Sequence, residues 1–208
     1  MHPRTHPPNH ANSPELRSPS ELESGLVPEA NLLQVRMVRG SLADAPQFPL
    51  PMGFAIRRYQ QGDAETWVRI EQAADRYLTG HREIYERDFG RHETLLGARQ
   101  LFLCDPGGEA IGTATAWFGA YGGQASGRVH WMAIVPEWQG KGLAKPLVTA
   151  VCNRLRDLGH TRAYLVTETV RVPAINLYLK SGFVPDIRSE LDRAAWQDAQ
   201  RRGLKIDV

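Results

Sequence analysis

The sequence has 208 residues, with 25 Lys and Arg against 23 Asp and Glu and a formal net charge of +2. That length suits one domain with extensions, and so even a charge balance argues against nucleic acid or an anionic membrane as a partner. Cys104 and Cys152 share no metal or redox spacing, so they are expected to be buried, reduced thiols of a cytoplasmic protein.

Residues 1–31 are rich in Pro, Ser, His and Glu with almost no apolar run, the composition of a disordered tail. They hold no hydrophobic export segment, and Glu15, Glu21, Glu23 and Glu29 do not suit a transit peptide. No later stretch has the length and apolarity of a membrane span. His2, His6 and His10 are scattered, and no metal site is predicted. Residues 32–52 form an extended lead-in. Positions 33–38 alternate as an extra strand would, and Pro46, Pro49 and Pro51 keep the following chain extended.

The main domain is expected over 53–188. Residues 54–59 make its first strand, and Asp63 stands as N-cap of a helix with the apolar stripe Trp67, Ile70, Ala73, Ala74 and Leu78, ending at Gly80. Residues 81–92 form a charged helix or loop. Strands at 100–104 and 110–118 flank the turn Asp105-Pro106-Gly107-Gly108. Residues 119–127 are expected to be a glycine-rich loop, and 128–135 the next strand. After a helix come a strand at 162–168, a second helix at 173–181 opened by Pro173, and a short strand from Phe183. Residues 189–208 form a helical extension, with Ser189 as cap and Leu191, Ala194, Ala195 and Trp196 inside it.

The strand at 128–135 runs into the turn Gln139-Gly140-Lys141-Gly142-Leu143-Ala144-Lys145 and then into a helix. Leu147, Val148, Val151, Cys152, Leu155 and Leu158 recur at helical spacing up to Gly159. Pro146 is tolerated only in a first helical turn, so the helix begins near Gly142 and its free amides lie in the glycine turn. Such a bare helix start, with Lys141 and Lys145 beside it, suits a phosphate or pyrophosphate. The dinucleotide pattern G-x-G-x-x-G is half met, since Lys145 stands at the third glycine, and the P-loop pattern is absent.

Gln139, Gly142 and Ala144 do match Gln-x-x-Gly-x-Ala. Later, Ala174, Tyr178, Gly182 and Phe183 match Ala-x-x-x-Tyr-x-x-x-Gly-Phe. In this order and spacing the two motifs resemble the GCN5-related N-acetyltransferase (GNAT) superfamily, over residues 54–185. The resemblance implies an α/β (α+β) GNAT fold: a twisted, mostly antiparallel mixed sheet with helices on both faces, splayed where the cofactor enters. It implies acetyl-CoA as cosubstrate, with its pyrophosphate on Gln139, Gly140, Lys141, Gly142, Leu143, Ala144 and Lys145. The pantetheine arm then lies beside Met132, Ala133 and Ile134 like an added strand. It also implies acetyl transfer to a primary amine of a small molecule or protein, in a monomer or homodimer. Residues 78–96 and 119–127 would shape the acceptor pocket.

Tyr178 stands where the family keeps the acid that protonates the departing thiolate, with small Ala174 on the same helix face. The family's basic glutamate falls here on Arg128, which cannot remove a proton at neutral pH. His130, on the same strand face, and Glu168, ending the neighbouring strand, are the candidate bases, with a water chain and no single base as the remaining alternative. Arg171 replaces the asparagine that usually touches the cofactor, and is assigned to a cofactor phosphate or backbone oxygen. The alternative to an enzyme is a non-catalytic acyl-CoA sensor or docking module, which would keep the loop and dispense with Tyr178. A nucleotide-binding switch is disfavoured by the missing P-loop.

Overall fold

A computed structural model describes residues 32–90 and 92–207. The tail expected at 1–31 lies outside the described residues. In chain order the elements are β1 (Gln34–Arg39), β2 (Ala55–Arg58), α1 (Asp63–Ala74), α2 (His81–Phe89), α3 (Glu93–Arg99), β3 (Gln100–Cys104), β4 (Ala110–Tyr121), β5 (Gln124–Ile134), α4 (Ala144–Asp157), β6 (Ala163–Glu168), α5 (Val172–Lys180), β7 (Val184–Pro185) and α6 (Glu190–Arg201). The strands form one sheet in the order β2-β3-β4-β5-β6-β1-β7. All neighbours are antiparallel except β5 and β6. This is the mixed, mostly antiparallel α/β architecture expected. α1 and α4 both pack on β4 and β5, while α6 packs on β1. No helix among the described residues is long and apolar enough to cross a membrane.

Three local expectations are corrected. Residues 119–127 are not a loop. β4 runs to Tyr121 and β5 restarts at Gln124, joined by Gly122 and Gly123 at φ 60° and 75°. Two consecutive left-handed glycines are what a tight antiparallel hairpin needs, so the glycines close a ribbon. Secondly, Gly62, at φ 94°, takes the N-cap position of α1. Asp63 is instead occupied by Arg57, at 2.6 and 2.8 Å, and by the Gln60 amide at 2.6 Å. Thirdly, α1 stops at Ala74, and its buried face is Trp67, Val68, Ile70 and Glu71, with Ala73 exposed. Asp75 turns the chain into extended backbone there. The short helix α3 has no counterpart in the sequence reading.

The sheet parts in the middle. β5 and β6 pair only at Gly127–Ala163 and Arg128–Tyr164, after which each strand runs on unpaired with the other, to Ile134 and Glu168. A bulge on the β5 side of the wedge accentuates the split. Thr113 faces Ala133 and Thr115 faces His130, so one residue of β4 opposes two of β5. Trp131 within that bulge sits at φ 45°, a costly conformation for a bulky side chain that marks functional strands more often than structural ones. Trp131, Met132 and Ala133 are half-buried beside the opening.

β6 is held mainly from its other side. β1 pairs with it at six positions, from Gln34–Glu168 to Arg39–Ala163, and also pairs with β7. Val35 and Met37 are buried from β1. Arg39 donates to the Ser181 carbonyl and to Asp44.

Candidate active site

The loop after β5 is built to leave its amides free. A 3-10 turn at Pro136–Trp138 ends β5, and the Gln139 side-chain amide donates to the Ile134 carbonyl at 2.7 Å, which pins the loop to the strand end. Gly140 and Gly142 then adopt φ 72° and 79°, and a Cβ on either would point into open space. Among the described residues no backbone amide from 140 to 145 donates to a backbone carbonyl; the first to do so is Leu147, to Leu143 at 3.3 Å. α4 starts at Ala144 with no side-chain cap and no acidic residue in its first turn. Lys141 and Lys145 lie over Trp138 and Phe48 at 4.4 and 5.0 Å from the ring centroids, which anchors both cations beside those amides. The geometry fits a diphosphate.

Met132, Ala133 and Ile134 lead along the wedge to this loop. On the opposite wall stand β6 and α5. Tyr178, on the inner face of α5, is 7 % exposed, and its ring packs edge-on against Phe183. Its hydroxyl makes no hydrogen bond among the described residues, and burial holds its pKa above the ordinary tyrosine value. It stays protonated at neutral pH, as a proton donor must.

Around Tyr178 the structure gathers a charged cluster. Its hydroxyl feels Arg171, Glu168 and Glu71. Arg171, at the N-terminus of α5, donates to Asp75 at 2.8 Å and to Glu168 through its Nε, and lies over the Tyr77 ring at 5.1 Å. The guanidinium assigned to a cofactor phosphate is thus occupied by two carboxylates, and Glu168 is tied to it. The positions are close in space to the cleft, yet their charges face each other.

His130 has a separate set of neighbours. Its Nε2 lies 3.4 Å from Asp88 Oδ2, which also accepts from Trp131 Nε1 at 2.6 Å, and its ring meets Phe89 on α2. Burial pushes its pKa down to about 4, against the pull of Asp88. The charges acting on it are Asp88, Arg128 and Arg87, none of them part of the Tyr178 cluster. The reading of residues alone missed Glu71, Asp75 and His81, which gather around Arg171. Glu71 had a visible signal: it lies four residues after Trp67, on the same helix face.

Residues 64–183 match the acetyltransferase (GNAT) family. A mycothiol acetyltransferase of Pseudarthrobacter chlorophenolicus is 30 % identical over 165 residues, which are 76 % of this chain and 51 % of that protein. The chain spans about half the length of the curated relatives it matches. A GCN5-related N-acetyltransferase of Sphaerobacter thermophilus superposes with TM-score 0.57 at 19 % identity, covering 74 % of this chain and 48 % of that one. A GNAT-family acetyltransferase of Colwellia psychrerythraea gives 0.58 at 12 % identity, with 74 % and 53 % covered. At these identities the solved structures bear on the fold alone.

Proposed function

The chain belongs to the acetyltransferase (GNAT) family, and on that premise we propose that it moves the acetyl group of acetyl-CoA to a primary amine of a small molecule or protein by direct attack. One observation carries this reading: a capless helix start with free amides at 140–145 stands at the mouth of a split between β5 and β6, and Tyr178 stands on the far wall. The relatives named mycothiol acetyltransferases support an acetyl-transferring enzyme over a sensor. A sensor would have no use for a buried, unbonded phenol beside the cleft.

Acetyl-CoA supplies an activated acyl carbon. The loop holds the diphosphate by backbone donors, and the free edge of β5 at Met132, Ala133 and Ile134 orders the pantetheine arm as an added strand. The bulge at Trp131 turns backbone toward the wedge, where an amide can meet the thioester oxygen as it gains charge. Tyr178 Oη gives its proton to the departing sulfur.

Calorimetry with acetyl-CoA should show one site per chain, and mass spectrometry over an amine panel should show a product heavier by one acetyl group. A chain that binds no acetyl-CoA refutes the proposal at its first step, and one that binds but acetylates nothing favours the sensor. The loop has its own test. Gly142→Ala should weaken acetyl-CoA binding about tenfold, because an alanine at φ 79° costs about 1–2 kcal/mol and relaxes by turning an amide away. An unchanged dissociation constant would separate the loop from the cofactor.

A further inference from the structure

Three carboxylates, Glu71, Asp75 and Glu168, gather around Arg171 at the head of α5, and two of them are already satisfied. Asp75 accepts from Arg171 at 2.8 Å and from the Tyr77 amide at 2.8 Å, and Glu168 is paired with Arg171. The third, Glu71, is 3 % exposed. Its Oε1 is fully buried with no hydrogen-bond partner. A carboxylate in that position is expensive to keep, and a folded protein retains one where something must occupy the missing partner's place. His81 Nε2, at the start of α2, and Trp67 Nε1, one turn earlier on α1, are buried and unpartnered as well. Among the described residues no group of His, Cys, Asp or Glu is disposed to hold a metal ion. The missing partner is a hydrogen-bond donor and, beside the carboxylates of Asp75 and Glu168, a cationic one.

We infer that Glu71 receives the acceptor's ammonium at this carboxylate cluster and removes its proton, making it the general base of the transfer. Glu71 has this role only if the acetyl transfer proposed above occurs. The protons balance. The R–NH3+ group gives one proton to the Glu71 carboxylate, and the freed nitrogen pair forms the C–N bond to the thioester carbon. As the tetrahedral oxyanion collapses, the C–S bond breaks with its electron pair going to sulfur, and Tyr178 Oη protonates that sulfur. The second nitrogen proton returns to the Tyr178 phenolate, and Glu71 releases its own to solvent.

The charges around Glu71 suit the task. Burial first, then Asp75 just past the end of α1 and Glu168 on β6, push its pKa up to about 8, against Arg171 at the head of α5. Tyr178 on α5 and His81 on α2, the latter kept neutral by burial, complete the surroundings. A base of that strength is matched to an alkylammonium at near-neutral pH, which His130 is not.

The test compares the wild-type chain with Glu71→Gln over three amine probes: an amino sugar, an aminoacyl amide and a peptide with a free N-terminus. The variant should bind acetyl-CoA like wild type and lose about 10²-fold or more in kcat/KM for the amine. It should also lose the acid limb expected of wild type near pH 8. A loss under about tenfold, or an acid limb unchanged in the variant, overturns the assignment. Gln is close to isosteric with the protonated acid of the resting site, so the melting temperature should not fall. Infrared difference spectra judge Glu71 without turnover. A protonated-carboxyl band, absent in Glu71→Gln, should bleach when an amine probe is added to wild type. A wild type that acetylates no probe refutes the acetyltransfer proposal, whereas a band indifferent to every amine refutes the role of Glu71.

Discussion

Replacing Tyr178 with phenylalanine will lower kcat by about 10²-fold or more while leaving acetyl-CoA affinity unchanged. The argument begins with what the ring does structurally. Tyr178 packs against Phe183 from the inner face of α5, and phenylalanine keeps that packing. Its hydroxyl bonds to nothing among the described residues, so its removal orphans no protein partner and costs little stability. What is lost is a proton donor that burial keeps protonated beyond the ordinary tyrosine range. A departing thiolate must then be protonated by water in a dry cleft. Stopped-flow detection of the released thiol, beside calorimetry with acetyl-CoA, separates the two quantities. Turnover within about tenfold of wild type would remove Tyr178 from the mechanism.

The parts of this site that sequence made legible are those set by local backbone. Gly140, Gly142 and Pro146 dictate a glycine turn opening a helix, and the structure has one. Tyr178 sits on the buried face of α5 because Ile175 precedes it by three residues and Phe183 follows the Gly182 turn. Long-range pairing was not legible. Arg171 reads as a free cation beside a cofactor, yet its partners Asp75 and Glu168 come from α1 and β6, and only the fold joins them. Glu71 is invisible to a stripe made of apolar residues alone, because a buried carboxylate on that face breaks the pattern. Residues 119–127 misled in the opposite direction, since glycines suggest a loop, whereas two of them at positive φ close a hairpin.

A chain that begins at Ser41, and so lacks β1, will not fold cooperatively. β1 lies outside the family match at 64–183, yet it fills the sheet between β6 and β7. β6 pairs with β5 at only two positions, so the wall that carries Glu168 is secured by its six pairings with β1. Removing β1 uncovers the sites of Val35 and Met37, worth about 1.5–3 kcal/mol each. It also frees the Ser181 carbonyl from Arg39 and leaves two strand edges bare. Together these losses rival the whole stability of a domain, about 5–15 kcal/mol. The graded version is Met37→Ala, expected to cost about 2–5 kcal/mol and to lower the melting temperature by about 2–4 °C for each of them. Calorimetry and near-UV circular dichroism read both, and a peptide spanning residues 31–41 should restore order to the shortened chain. If that chain instead melts in one sharp transition at the full-length temperature, β6 does not depend on β1. The width of the cleft would then have to be fixed from the β5 side alone.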